Sequence, residues 1–298
     1  MNIGLIDVDG HNFPNIALMK LASWHKKQGD KVSWYYPLLS GHMDRVYMSK
    51  IFSFTPDYEY HIDADEIIKG GTGYFYPDGG TVLPYEVEHS YPDYSIYGIE
   101  DTAYGFLSRG CPRGCDFCVV KDKEGRKSVK VADLDEFWSG QKNINLLDPN
   151  IIACKDWAEL LLQLQESGAW VDFSSGLDVR IMTEEKAEAI KKLKLKMLHF
   201  AWDRYEDEPI VVPKLKMFKE LTGLDHRKLI VYVLCNFDTT IEQDLDRVYK
   251  LRELGYDPYV MIFNKQGTNA RDEVRRLQRW VNNRRIFKTV GRFEDYDG

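Results

Sequence analysis

Short apolar runs alternate with stretches of helical period through most of the chain. Ile3–Val8 is an apolar run that predicts a strand. From Phe13 to Gln28, the residues Phe13, Ala17, Leu21 and Trp24 recur at helical spacing, with Pro14 in the first turn and Gly29 as a stop. Lys31–Tyr36 reads as a second strand. Arg45–Phe54 and Glu66–Lys69 are further strand candidates, followed by Gly70 and Gly71. This is a truncated doubly wound pattern. From residue 100 on, six strands are predicted at Tyr104–Ser108, Asn145–Leu147, Val171–Ser174, Met197–Trp202, Leu229–Asn236 and Tyr259–Asn264. Helices are predicted between them at Lys155–Glu166, Thr183–Leu193, Ile210–Leu221 and Thr240–Leu254. Thr240 and Gln243 form a capping box, and Gly168 and Gly255 act as stops. A last helix begins near Asn269. Strands alternating with helices imply a parallel sheet. Six repeats are too few to close an eight-fold barrel, so an open partial barrel is the economical fold, with active residues at the C-terminal strand ends.

Residues 72–98 break this rhythm. They hold six tyrosines (74, 76, 85, 91, 94, 97) and three prolines (77, 84, 92) without a period, as an ordered connector does. The boundary is placed at 98. This gives a small α/β domain, 1–98, with the connector 72–98 at its end, and an α/β domain, 99–298.

The length, 298 residues, fits two domains. With 44% hydrophobic and 29% charged residues the composition is that of a folded globular chain, which excludes disordered and fibrous classes. No apolar run approaches the roughly 18 residues of a membrane span, so no membrane partner is expected. The opening MNIGLIDVDG has no basic segment followed by an apolar one, and a cytoplasmic location is expected. Charge is uneven. Residues 1–100 carry 7 Lys/Arg against 14 Asp/Glu, whereas 265–292 carry 9 against 2. The acidic whole argues against general nucleic-acid affinity, and the basic tail leaves nucleic acid or a nucleotide as a local partner.

The five cysteines are Cys111, Cys115, Cys118, Cys154 and Cys235. An odd number, three of them within eight residues, does not suit a secreted disulfide framework and reads as a metal site. Cys111, Cys115 and Cys118 are spaced C-x3-C-x2-C directly after a predicted strand, with Gly110 and Gly114 letting the backbone wrap closely. Iron–sulfur clusters usually take four cysteines, and no fourth lies nearby. Such a set leaves one iron open. The zinc alternative would need a His or Asp as fourth ligand, and zinc sites usually pair two such knuckles.

This loop, the aromatic Phe117 before its third cysteine and the six-strand run resemble the radical S-adenosylmethionine superfamily over about residues 100–265. The resemblance implies a [4Fe-4S] cluster on Cys111, Cys115 and Cys118, with S-adenosyl-L-methionine bound to the open iron. It further implies reductive cleavage to methionine and a 5′-deoxyadenosyl radical, and a reducing partner such as flavodoxin or ferredoxin. The substrate is not readable. The family often has Gly-Gly-Glu after the second strand to hold the methionine amino group. This chain has Leu147-Asp148-Pro149-Asn150, with Asp148 as the nearest acidic substitute. Polar groups at the next strand ends, which in the family contact ribose and methionine carboxylate, are here Ser174, Asp178, Arg180, Asp203 and Arg204. An Arg fork suits a carboxylate and Asp203 suits a ribose diol. Phe117, Leu147, Asn150, Trp202 and Asn236 complete the implied cofactor-binding set. Cys235, at the end of the fifth strand, is either a small buried hydrophobe or a hydrogen-atom donor to substrate.

The loop after the first strand carries Asp7, Asp9, His11, Asn12 and Pro14. It resembles the Asp-x-His-x-x-Gly signature of cobalamin-binding domains, where His ligates cobalt and an acid sets its tautomer. Pro14 stands where that signature has glycine, and the domain is short for a corrinoid. The expectation is descent from that architecture without cobalamin binding. Asp9 and His11 would then lie near the cysteine loop and help bind substrate, beneath a tyrosine-rich cover. The plain alternative is a helix start capped by Asn12. The C-terminal helix places Ala270, Val274, Leu277 and Val281 on one face and Arg271, Arg275, Arg276 and Arg279 elsewhere. A solvated face is one reading and a phosphate-binding face the other. The competing function is a zinc-stabilised nucleic-acid-binding protein.

Overall fold

The computed structural model describes residues 1–77, 80–265 and 272–298, which build two parallel sheets and a small hairpin. The first sheet contains β1 (Asn2–Asp7), β2 (Lys31–Trp34), β3 (Met43–Ser49) and β4 (Ala64–Gly70) in the order β2-β1-β3-β4, with every pair parallel. Helix α1 (Ile16–Lys27) joins β1 to β2 and lays Leu18, Leu21 and Ala22 on Ile3 and Leu5. It starts later than its apolar period suggests. Asn15, not Asn12, is the cap: its side-chain oxygen accepts the Leu18 N–H at 3.2 Å, and its amide donates to Ser49 Oγ at 2.7 Å. Pro14 therefore precedes the helix.

The connector holds the short helix α2 (Tyr85–Glu88) and a 3-10 turn at Tyr94–Tyr97, closed by Gly98 at φ +64°. Its rings are divided between two cores. The Tyr94 hydroxyl donates to the Phe137 carbonyl at 2.7 Å, and the Tyr97 hydroxyl donates to Asp7 at 2.6 Å. The indole of Trp34 donates to the Ile96 carbonyl at 2.8 Å. The connector thus bonds to residues of both the first-sheet and the second-sheet units.

The second sheet begins with β5 (Thr102–Gly105). The predicted strand to Ser108 divides because the buried Asp148 carboxylate takes the Leu107 and Ser108 amides, which removes them from a ladder. Ser108–Arg109 (β6) pairs antiparallel with Val129–Lys130 (β7), so a hairpin frames the cysteine loop and its short helix α3 (Val120–Lys123). The alternation then continues through β8 (Asn143–Leu146), α4 (Trp157–Ser167), β9 (Trp170–Leu177), α5 (Glu184–Lys191) and β10 (Lys194–Ala201). It ends with α6 (Glu208–Thr222), β11 (Leu229–Cys235), α7 (Ile241–Glu253), β12 (Asp257–Ile262), α8 (Asp272–Asn282) and α9 (Arg284–Thr289). The order β12-β11-β10-β9-β8-β5 is sequential, and all five pairings are parallel. Every C-terminal strand end therefore lies along one edge.

Alternate strand residues such as Ile144, Val171, Leu198, Val231 and Val260 are buried in the main core with the helices. The caps on Thr183 and on Thr240 with Gln243 form as the sequence predicts. Val274, Leu277, Trp280 and Val281 bury one face of α8, while Ala270 and Arg271 lie outside the described residues. The arginines of α8 clasp the chain itself: Arg276 donates to the Phe293 carbonyl at 3.0 Å, Arg279 to that of Gly298 at 3.1 Å and Arg275 to that of Lys265 at 3.0 Å. Among the described residues no helix is long and apolar enough to cross a membrane.

Candidate functional site

The cysteine loop is held at its root by backbone geometry. Gly110 has φ +85°, and a Cβ there would collide with the Lys127 carbonyl. The Cys111 amide donates to the Gly125 carbonyl at 3.2 Å. Asp148 then ties the strand leading into the loop: it accepts the Leu107 N–H at 3.0 Å, the Ser108 N–H, and the Ser108 hydroxyl at 2.6 Å. Burial pushes the Asp148 carboxyl up to about 6, against these hydrogen bonds. Three donors of the chain reach its two oxygens and it is buried, so Asp148 braces the loop.

From this root the loop lies along the C-terminal edge of the sheet. The Asn150 amide, beyond β8, reaches Cys111 Sγ at 3.4 Å. Arg113 bonds Asp178 beyond β9. Arg204 beyond β10 reaches Asp116 at 3.2 Å. Phe117 meets Phe237 edge-on at 5.4 Å beyond β11, and Phe237 meets Phe263 beyond β12 at 4.9 Å. The three thiols are close enough to act on one another electrostatically. Burial pushes Cys115 and Cys118 up. The charge of the Arg180 guanidinium works the other way on Cys115. Among the described residues no three His, Cys, Asp or Glu side chains gather around a single ion position. Three thiols on one loop are a donor set that an iron–sulfur cluster or, with a fourth ligand, a zinc ion takes.

Arg180 is a fixed fork. Its Nε donates to Asp178 at 2.7 Å and a terminal nitrogen to Asp207 at 2.8 Å. Burial alone would lift the Asp178 carboxyl, but Arg180 and Arg113 outweigh it and hold it below its ordinary range. Asp203 differs. Burial pushes its carboxyl up to about 6, with Arg180 and Arg247 acting against this, and no hydrogen-bond donor reaches it among the described residues. It lies close enough to Cys115 and Cys118 to act on them electrostatically.

The remaining residues divide by exposure. Ser174 and Ser175 donate to the carbonyls of Leu146 and Leu147 at 3.0 and 3.1 Å. Asn236, at φ +66°, donates to the Phe263 carbonyl at 3.1 Å and shapes the turn after β11. Trp202 is wholly buried, its indole bonded to the Arg204 carbonyl, which makes it a core residue. Cys235 is equally buried, which takes it out of reach of a substrate. Asp9 binds the 51–55 loop, accepting the Ile51 amide and the Thr55 hydroxyl. His11 stacks on Trp34 at 4.1 Å and meets Tyr97 at 5.6 Å. These contacts hold Asp9 and His11 within their own unit rather than against the cysteine loop.

Sequence reasoning missed Arg247. It is fully buried and donates to the carbonyls of Trp202 (2.7 Å), Asp203 (2.8 Å) and Leu234 (2.8 Å), and to Asp244 at 2.6 Å. Its signal was visible: Asp244 and Arg247 share the helix face of Val248 and Leu251, where charge is unexpected.

The chain matches no protein-family model and no curated protein sequence. Among solved structures it is similar to SuiB of Streptococcus suis bound to the precursor peptide SuiA, at 13% identity and TM-score 0.46, over 64% of this chain and 46% of that one. It is similar to SuiB bound to S-adenosylmethionine at 13% and 0.43, over 63% and 44%. A further SuiB structure gives 12% and 0.45, over 64% and 47%. The likeness spans less than half of the SuiB chain.

Proposed function

We propose that this chain is a radical S-adenosylmethionine enzyme with a single [4Fe-4S] cluster on Cys111, Cys115 and Cys118. One observation carries the reading: a C-x3-C-x2-C loop, framed by its own hairpin, lies across the C-terminal edge of a sequentially ordered six-stranded parallel sheet. On this reading the sheet is an open partial (βα)6 barrel, and the small α/β unit before it binds no corrinoid. Cys111, Cys115 and Cys118 would hold the cluster, whose chemistry would be one-electron reduction of S-adenosylmethionine to methionine and a 5′-deoxyadenosyl radical. The chain's own residues bind and orient. Arg180, rigid between Asp178 and Asp207, offers its guanidinium to the methionine carboxylate. Asp203, lacking a donor, accepts the ribose hydroxyls. Asn150 and Phe117 hold the cysteine loop in register with the strand ends. The electron comes from a reducing partner of the flavodoxin or ferredoxin kind.

The test is anaerobic reconstitution with iron and sulfide, followed by electron paramagnetic resonance of the reduced protein with and without S-adenosylmethionine. A reduced-cluster signal that changes when S-adenosylmethionine is added is expected. Uptake of zinc but never of iron overturns the proposal.

A further inference from the structure

The strand positions that alternate with the helix-facing core carry an unusual row. Tyr104 of β5 pairs in register with Asn145 of β8, and Asn145 with Asp172 of β9. His199 of β10 follows, its Nδ1 3.8 Å from Asp172 Oδ1. Tyr232 of β11 stacks on His199 at 5.1 Å with the rings 8° from parallel, and Tyr259 of β12 meets Tyr232 edge-on at 5.8 Å. Phe13, from the first domain, closes the other end against Tyr104 at 5.4 Å.

Two acceptor atoms of this row stand without a donor, while the Tyr232 hydroxyl donates to the Ser174 carbonyl at 3.0 Å. Asn145 Oδ1 and Asp172 Oδ1 are both buried and have no hydrogen-bond partner. His199 Nδ1 lies 2.9 Å from the Phe173 carbonyl and so carries the hydrogen, which leaves Nε2 as a further acceptor. Burial pushes His199 below its ordinary value, against the Phe173 hydrogen bond and the charge of Asp172. Burial pushes Asp172 up, partly offset by His199 and by the exposed Lys196, neither of which bonds to it. Buried polar atoms in folded chains are paired with protein, ordered water or a bound group. A positively charged group with N–H donors matches the unmet acceptors of Asp172 and of Asn145, its in-register neighbour. Tyrosine faces beside it add cation–π attraction.

We propose that this row is the substrate-recognition site and that it takes a cationic nitrogen group, an ammonium or guanidinium, with Asp172 as its counter-charge and Asn145 and His199 as its hydrogen-bond acceptors. The assignment of the bound group as substrate rests on the radical S-adenosylmethionine reading; the cation site itself does not.

The experiment uses the full chain without cluster, so it is independent of iron chemistry. n-Pentylammonium and its neutral counterpart 1-pentanol are titrated by saturation-transfer NMR. Saturable binding of n-pentylammonium at least tenfold tighter than that of 1-pentanol is expected, with at least a tenfold loss in Asp172→Asn. Lys196→Ala should bind as well as the unaltered chain or better. A second measurement guards against a misfolded variant: in the unaltered chain with labelled tyrosines, n-pentylammonium should shift Tyr104 and Tyr232 resonances, assigned by Tyr→Phe changes. Equal binding of the two probes, equal binding in a folded Asp172→Asn, or unmoved tyrosine resonances overturns the proposal. None of these results bears on whether the cysteines hold a cluster.

Discussion

Asn150 donates its side-chain amide to the sulfur of Cys111 across 3.4 Å, while its own carbonyl accepts the Ser128 hydroxyl at 3.0 Å. The amide is thereby fixed from the backbone side and fully buried. Hydrogen bonds to ligand sulfur withdraw charge and make reduction of an iron–sulfur centre easier. In reconstituted Asn150→Ala the reduction potential should be more negative than in the unaltered protein, at unchanged iron content. A potentiometric titration read by electron paramagnetic resonance checks this, and an unmoved midpoint removes the role.

Loss of any one of Cys111, Cys115 or Cys118 to Ala should abolish the iron–sulfur chromophore. Cys154→Ala should keep it, because that thiol is buried beside Asp156 and not on the loop. Iron and sulfide per chain are the readout. Retention of a full complement in Cys115→Ala would contradict the ligand set.

Arg180 stands between Asp178 and Asp207, so its position does not depend on any ligand. Arg180→Gln removes the charge and the fork. Hydrogen bonds to charged groups are worth about 1.5–3 kcal/mol, so S-adenosylmethionine binding should weaken by roughly ten- to a hundred-fold. The cluster content should be unchanged. Equilibrium dialysis with the reconstituted protein measures the first and iron analysis the second. Equal affinity in the two proteins would reassign Arg180 to a purely structural network.

The cysteine loop and the strand–helix rhythm were legible because they are local. Spacing, caps and glycine stops each act over a few residues, and Thr183, Thr240 with Gln243, and Gly168 behave as their types predict. What was not legible is non-local. Asp148 looked like a ligand to S-adenosylmethionine, but its carboxylate faces amides some forty positions earlier. Asn12 and Asn15 are equally good caps by type, and the Ser49 hydroxyl, brought close only when β3 pairs with β1, favours Asn15. Trp202 and Cys235 sit at strand ends as expected, yet alternation turns both into the core. The row from Tyr104 to Tyr259 draws one residue from each of six strands, so no single segment contains it.

Arg247 should matter more for stability than any surface ion pair. Three carbonyls at the ends of β10 and β11 depend on it, and Asp244 is its salt-bridge partner. Removing one member of a buried pair leaves the other uncompensated and costs about 3–5 kcal/mol. Arg247→Ala should lower the unfolding midpoint in urea accordingly. A loss below about 1 kcal/mol, the range of exposed pairs, would mean that water replaces the guanidinium at those carbonyls.

Asp148 should leave a mark on the pH dependence of stability. Its carboxyl is pushed up to about 6 in the folded chain from an ordinary value of 3.8. Between these two values the folded chain holds a proton that the unfolded chain has released. Stability contributed at this position is therefore greatest at the acid end of the window and falls as pH rises through 6, where the buried group must ionise. The protonated form remains well bonded, because the Ser108 hydroxyl can turn to accept from it. Asp148→Asn cannot titrate, and its amide places hydrogens where Leu107 or Ser108 already donates. Its deficit against the unaltered chain should be about 1–3 kcal/mol near pH 5 and smaller at pH 7. Urea unfolding of both proteins across this range gives the difference directly and cancels the titration of Asp172 and Asp203, which is common to both. A deficit that grows with pH would mean that Asp148 is stabilised as the anion and that its hydrogen bonds outweigh its burial.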